Sequence, residues 1–184
     1  WAAALRIAQF PITNEYSDCA TALHTFTFAN AVQQAIRRLP SSKELLRAIF
    51  DVAMSNYLNR FLNVPSTALP SEKAEPINYN YNDNKDNDNN WVSIRDSFLD
   101  TLDKRQQVNE AAKMVASSSL YTQGEKEMST ILVQALLRED RSFHTIQMVE
   151  AAFRQKTELQ RLQVLDGIKP IPHLLIAATR YLTA

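Results

Sequence analysis

The chain has 184 residues, of which 45% are apolar and 22% charged, the ordinary mix of one globular domain with its own core. Lysine plus arginine and aspartate plus glutamate number 20 each, so no excess of positive charge attracts nucleic acid, and we expect no nucleic-acid partner. Only two glycines occur, Gly124 and Gly167, which argues against a glycine-rich nucleotide-binding loop and against the tight hairpins of an all-β fold.

Cysteine occurs once, as Cys19. A single cysteine cannot form an intramolecular disulfide, a cysteine-based zinc site or an iron–sulfur cluster within this chain. It is compatible with a reduced setting, and we expect a cytoplasmic location. No apolar run reaches the ~18–20 residues that span a bilayer, so we expect no membrane span. The chain begins at Trp1 rather than at a methionine, which is compatible with a piece of a longer protein.

Helical patterns begin at the first residue. Pro11 ends a short helix over residues 1–10, because a proline disfavours a helical residue before it. Asp18 can cap a second helix that runs to Leu39. Ser41-Ser-Lys-Glu44 fits a capping box at the start of a third helix, residues 42–62. This third helix has an amphipathic pattern, and we expect its apolar positions to face inward: Leu45, Ile49, Val52, Ala53, Tyr57 and Phe61.

Residues 71–90 differ in kind from the sequence around them. The stretch from Asn78 to Asn90 is rich in asparagine and aspartate and has no period that could bury a face. It also lacks the ordered spacing, central glycine and closing glutamate of an EF-hand calcium loop. We therefore predict a flexible polar insertion within a single helical domain that covers residues 1–184.

Helical patterns resume at Trp91. Two segments over residues 91–105 and 106–118, with a break near Asp103, precede helices over residues 122–137, 142–165 and 172–183. Strand patterns are hard to find. The fold class predicted is all-α, a multi-helix bundle of roughly six to eight helices with one long polar insertion.

The helix predicted over residues 142–165 sets three polar residues among apolar ones. His144, Gln147 and Glu150 follow one another at three-residue steps, and each needs a partner if it is buried. His24 similarly interrupts the apolar second helix. Because a bundle can bring two helices together, we predict an interior polar site built around His24, His144 and Glu150, with Gln147 beside them as a fourth catalytic candidate.

A metal ion is one reading of that site, with His24, His144, Glu15 and Glu150 as the candidate ligands. Di-iron bundles build such sites in their cores, but they use a Glu-x-x-His step that this sequence lacks. Six residues separate His144 from Glu150, or about 600° of helical rotation, which places the two about 120° apart. The other reading is a pair of core histidines that are hydrogen-bonded to their neighbours and have no chemical role.

Four stretches resemble a known family: Asn14-Glu-Tyr-x-Asp18, Leu23-His-Thr-Phe-Thr-Phe-Ala-Asn-Ala31, Tyr57 to Pro65, and Arg138-Glu-Asp-x-x-Phe-His-Thr-Ile-Gln-Met-Val-Glu-Ala151. They look like the helical portion of bacterial proteins in which a long helical region accompanies a Rieske iron–sulfur domain. That portion is in turn similar to questin-oxidase-like proteins. The resemblance implies a redox context, with His24, His144, Gln147 and Glu150 lining a shared site. A Rieske cluster needs two cysteines, so the cluster itself is not expected in this chain.

Two functions follow as alternatives, and the sequence leaves open whether the protein is an enzyme. The first is an oxidoreductase-associated helical domain that holds a metal or a small organic molecule against His24, His144 and Glu150. The second is a non-catalytic subunit that presents a helical face to another protein or to further copies of itself. No nucleotide or iron–sulfur cofactor is expected within the chain, and the identity of any other cofactor is left open.

Overall fold

A computed structural model describes residues 1–11, 16–62, 65–70, 87–104, 107–119, 123–138, 142–162 and 170–183. Every element of regular structure in these residues is helical, which confirms the predicted all-α bundle. The elements are α1 (Ala2–Ala8), α2 (Tyr16–Arg38), α3 (Lys43–Leu58) with a 3₁₀ turn at Asn59–Phe61, α4 (Asn87–Asp103), α5 (Val108–Ser118), α6 (Gly124–Leu137), α7 (Phe143–Leu162) and α8 (Pro170–Thr183).

Helix α8 is the centre of the core. Its residues from Leu174 to Leu182 are all buried, and it packs against α1, α5, α6 and α7. A helix that is apolar around most of its circumference is stable only when other helices surround it. The last helical segment of the sequence therefore organises the bundle.

Arg180 is the charged exception within α8. It is only 4% exposed, and its guanidinium donates to the Asn109 side-chain oxygen at 2.8 Å and to the carbonyl of Phe10. Burial lowers the pKa of Arg180. These hydrogen bonds compensate part of the cost of removing the guanidinium from water, and they tie α8 to α5 and to Phe10, two residues after the end of α1.

Helix α3 lies at the periphery of the fold. It packs on α2 and on the 3₁₀ turn that follows it, and none of its own residues is buried. Its start is fixed by Ser42, whose hydroxyl accepts a hydrogen bond from the backbone N–H of Leu45 at 3.2 Å. A serine caps α3, but it is Ser42 and not Ser41, the serine of the predicted capping box, so the predicted helix start was one residue too early.

Part of the predicted insertion belongs to a helix. Residues 71–86 lie outside the described residues, but Asn87 to Asn90 form the first turn of α4. The last four residues of the predicted insertion are thus also the start of α4. The physical reason is that asparagine and aspartate, although poor in helix interiors, are favoured at helix amino termini.

Gly124 begins α6 at a close contact with the end of α5. A Cβ atom at this position would lie 1.6 Å from the backbone carbonyl oxygen of Ser118. Since real Cβ contacts are never that short, only a glycine fits here without a backbone shift. One of the two glycines of the chain therefore sets the packing of α6 against α5.

Candidate functional site

The imidazole rings of His24 and His144 are in contact. Their centroids are 4.9 Å apart and their planes cross at 83°, an edge-to-face arrangement. His24 projects from α2 and is exposed, whereas His144 lies in the first turn of α7 and is half-buried. The Phe143 ring is 6.2 Å from the His144 ring. Two of the four predicted catalytic residues are thus brought together from different helices.

The predicted interior location of this site was wrong. The inner face of α7 is formed by Met148, Val149, Ala151 and Ala152, which are buried. Glu150 is on the opposite side, where its carboxylate is exposed and pairs with Arg154 one turn further along. His144 is four residues before Met148 and therefore lies on the same side of α7, but it is in the first turn, at the end of the helix, where it is only half-buried.

The predicted metal ligands form no complete set. Among the described residues, no group of three or more histidine, cysteine, aspartate and glutamate side chains is placed to hold a metal ion. His24, His144 and Glu150 therefore do not form such a group, and Glu15 lies outside the described residues. Gln147, the remaining catalytic candidate, is half-buried on α7.

The histidine pair can act chemically in two ways. Each neutral imidazole has one nitrogen that donates and one that accepts, so adjacent rings can bind a metal ion that has further ligands from elsewhere, or exchange a proton with a bound molecule. Within the part of the chain that the structure describes, the two rings contact each other, the His144 ring lies near Phe143, and neither ring is hydrogen-bonded to another residue. This differs from the alternative prediction, in which both histidines are hydrogen-bonded to their neighbours.

A line of polar contacts continues from the histidine pair along α2 and α7. The buried amide of Gln155 donates to Asn30 at 2.9 Å and also to Gln33. Further along, Arg37 pairs with Glu158. Residue numbers increase in the same direction on both helices, so α2 and α7 run parallel where they meet. Gln155 and Glu158 thus join α7 to α2.

Cys19 lies on α2 near the buried Arg180. Burial raises the pKa of the Cys19 thiol to about 11, an effect that the nearby guanidinium only partly offsets. The thiolate is the nucleophilic form of cysteine, and it is scarce at neutral pH when the pKa is high. Cys19 is therefore unsuited to nucleophilic catalysis.

The largest feature that sequence reasoning missed is the outer surface of α3. Phe50 is 66% exposed, Met54 58% and Leu46 55%. The prediction that Ile49, Tyr57 and Phe61 face inward was wrong, because they are 43%, 49% and 63% exposed. The less exposed side of α3 and of its 3₁₀ turn carries smaller or polar residues instead: Leu45, Ala48, Val52, Ser55, Asn56 and Asn59. Helix α3 thus exposes its larger apolar residues, and its less exposed side carries smaller or polar ones.

A groove extends this surface toward α2. It has a volume of about 510 Å³ and lies between Ile36 of α2 and the first half of α3, where Leu45, Leu46 and Ile49 line it. We call Ile36, Leu46, Ile49, Phe50, Met54, Tyr57 and Phe61 the α3 outer face. The spacing of Leu46, Phe50, Ala53 and Tyr57, in steps of four, three and four, is the signal by which sequence reasoning could have found it, because this is the spacing of a coiled-coil seam.

No helix among the described residues is long and apolar enough to cross a membrane. Comparisons of the chain with protein-family models, with curated proteins and with solved structures find no match.

Proposed function

We propose that this chain is a helical interaction module that binds another protein through the α3 outer face. The observation that carries the proposal is the exposure of Phe50 and Met54 on α3 and of Phe61 in the 3₁₀ turn after it, each of which is more than half exposed. Large apolar side chains scattered singly over a surface need no explanation, but a continuous stripe of them marks a binding surface.

The packing of α3 supports this function. An amphipathic helix at the surface of a globular protein turns its apolar side inward and its polar side outward. On α3, Ser55 and Asn56 are half-buried, whereas the larger Phe50 and Met54 are exposed to water. Such an orientation costs solvation free energy in the isolated chain, and a partner that covers the outer face removes that cost.

The aromatic residues at the end of the outer face also suit binding. The Arg60 guanidinium carbon is 3.8 Å from the centre of the Tyr57 ring and 4.6 Å from the centre of the Phe61 ring. Tyrosine and arginine are among the residues that contribute most to binding at protein interfaces. Arg60 holds both rings in place, which lowers the entropy that they lose when a partner binds.

Site-specific photocrosslinking in cells tests the function. Phe50 is replaced by p-benzoylphenylalanine, and in a control strain the same amino acid replaces Leu137, which is 77% exposed on α6. We expect the Phe50 position to give a cross-linked protein of discrete mass and the Leu137 position to give none. No cross-link from Phe50, or equal cross-linking from both positions, would overturn the proposal.

A second function is the redox-associated one that the family resemblance implies. It is favoured by the contact between His24 and His144, which places two imidazoles from separate helices at one surface site. In this function the two rings act as metal ligands or as proton carriers for a bound organic molecule. Glu150 has a smaller part than the sequence suggested, because Arg154 pairs with its carboxylate.

Elemental analysis of protein purified without chelators tests the metal form of this second function. A transition metal that copurifies with the wild-type chain and is lost from His144→Ala would support it. His173→Ala is the matched control, because His173 stacks on Trp1 and has no part in the pair. Metal-free wild-type protein, or equal metal content in all three proteins, would argue against histidine ligation.

A further inference from the structure

We infer that the protein bound by the α3 outer face is a second copy of this chain, with the two α3 helices antiparallel about a two-fold axis that passes between Asp51 and Val52. This inference rests on the proposed interaction function and names its partner. It is carried by three properties of the outer face: its spacing, its area and its charge.

The spacing of the seam is self-complementary. An antiparallel pair with its axis between residues 51 and 52 places Leu46 of one copy beside Tyr57 of the other, and Phe50 beside Ala53. Each contact joins a larger side chain to a smaller one, as interdigitated helix packing requires. Because the two-fold axis generates each contact twice, the dimer contains two Leu46–Tyr57 contacts and two Phe50–Ala53 contacts. Every residue of the seam therefore has a counterpart in the other copy.

The exposed area matches what a stable dimer needs. The seven side chains of the outer face are between 43% and 66% exposed. At about 200 Å² for a fully exposed large side chain, they present roughly 750 Å² of surface. The largest apolar patch of a typical monomer is about 300–600 Å². A standard protein interface buries about 800 Å² on each partner, so two copies of this face are close to that size.

The charges of α3 permit self-association. The helix carries two positive residues, Lys43 and Arg47, and two negative ones, Glu44 and Asp51, so it has no net charge to repel a second copy. Arg47 lies 3.7 Å from Asp51 within the same helix. All four are in the first part of α3, and the rest of the helix, from Val52 to Leu58, is uncharged. The antiparallel arrangement places the charged part of each α3 beside the uncharged part of the other, and beyond that part Arg60 of the 3₁₀ turn comes opposite Lys43 and next to Glu44 of the other copy.

Sedimentation equilibrium on the purified chain tests the stoichiometry. We expect the wild type to have twice the mass of one chain and Phe50→Glu to have the mass of one chain. Phe143→Glu is the matched control, because Phe143 is 70% exposed on α7, outside the outer face, and we expect it to remain dimeric. Far-ultraviolet circular dichroism shows that each variant is folded. A monomeric wild type at every concentration, or a dimer that only Phe143→Glu dissociates, would overturn the inference.

Disulfide trapping tests the orientation. In a Cys19→Ala background, one preparation carries Leu46→Cys and the other Tyr57→Cys, and the two are mixed under oxidising conditions. We expect cross-linked dimer from the mixture and little from either preparation alone. In the antiparallel arrangement the two copies of residue 46 are about 16 Å apart along the helix axis, at ~1.5 Å per residue. A disulfide needs Cα atoms within about 7 Å. Cross-linking of Leu46→Cys to itself would indicate a parallel pair and overturn the proposed arrangement.

The photocrosslinking experiment separates failure of this inference from failure of the proposed function. A monomeric purified chain whose Phe50 position still cross-links one discrete foreign protein would overturn the self-association and leave the interaction function in place. A monomeric chain without any cross-link would overturn both.

Discussion

The imidazole of His24 meets the imidazole of His144 edge to face, with 4.9 Å between the ring centroids. One ring comes from the second helix and the other from the seventh, so the contact exists only in the folded chain. Edge-to-face rings attract each other because the positive edge of one lies against the negative face of the other.

The histidine contact predicts a measurable coupling free energy. Aromatic pairs of this geometry are worth about 0.5–1.5 kcal/mol beyond the area that they bury. In a double-mutant cycle of His24→Ala and His144→Ala, we expect a coupling of about 0.5–1 kcal/mol in the free energy of urea unfolding at neutral pH. The control is the cycle of His24→Ala and His173→Ala, whose rings contact different partners. In this cycle we expect the two changes in unfolding free energy to be additive. Equal coupling in both cycles would contradict the assignment of the effect to ring contact.

Phenylalanine substitutions should separate the core from the surface. The Phe98 side chain is 0% exposed on α4, and Phe98→Ala is expected to lower the free energy of unfolding by about 3–5 kcal/mol through lost burial and a residual cavity. Phe143 is 70% exposed, and Phe143→Ala is expected to change it by less than about 0.5 kcal/mol. Phe153, which packs against the core but is half-buried, should fall between them. Chemical denaturation provides the comparison, and equal losses at Phe98 and Phe143 would contradict the packing.

Cys19 predicts a pH dependence of stability. Burial raises the pKa of its thiol to about 11, from an ordinary value of 9.0, so the folded state binds the thiol proton more tightly than the unfolded state does. The stability from this difference is fully present below pH 9.0 and is lost as the pH rises toward 11. We expect Cys19→Ala to lose less stability than the wild type between these two pH values in parallel urea titrations.

Alkylation gives an independent measurement of the same thiol. Iodoacetamide at pH 8 should modify Cys19 slowly in the folded chain and rapidly in urea, because only the thiolate reacts. The unfolded chain serves as the control for intrinsic reactivity. Equal rates in the folded and unfolded chains would show that the thiol is neither protected nor raised in pKa.

Gly124→Ala should destabilise the junction of α5 and α6. The added methyl group would collide with the backbone carbonyl of Ser118, which cannot rotate away as a flexible side chain would. Overpacking of this kind costs about 1–3 kcal/mol, and more where the backbone must move. Thr130→Ala, at an exposed position of the same helix, is the control and is expected to change thermal stability little. A Gly124→Ala variant as stable as this control would show that the two helices separate easily.

The fold class followed readily from the sequence because prolines and apolar periodicity are local signals. Pro11 and Pro40 mark the ends of α1 and α2 to within a few residues, and the break predicted near Asp103 is where α4 ends. The role of α8 could not be derived in this way. Its central position depends on which helices surround it. The sequence of a short apolar helix does not show whether one helix or four pack against it.

The candidate site was predictable in part. The pairing of His24 with His144 could be anticipated because only three histidines exist and two of them interrupt apolar helices. The location of the pair at the surface could not be anticipated. A polar residue in the first turn of a helix and one in the buried middle of a helix can have similar neighbours in sequence. The outer face of α3 was misread for a related reason: Tyr57 and Phe61 satisfy a core pattern, but the less exposed side of α3 carries smaller or polar residues.

The amides between α2 and α7 also constrain how these helices can align. Gln155 and Asn30 are each 8% exposed and are joined to each other, and Gln155 also reaches Gln33. If α7 slipped along α2 by one turn, about 5.4 Å, the apolar contacts could largely re-form, but these amides would lose their partners at about 1–3 kcal/mol for each buried group. Gln155, Asn30 and Gln33 therefore select a single register for two helices whose apolar surfaces alone would accept several.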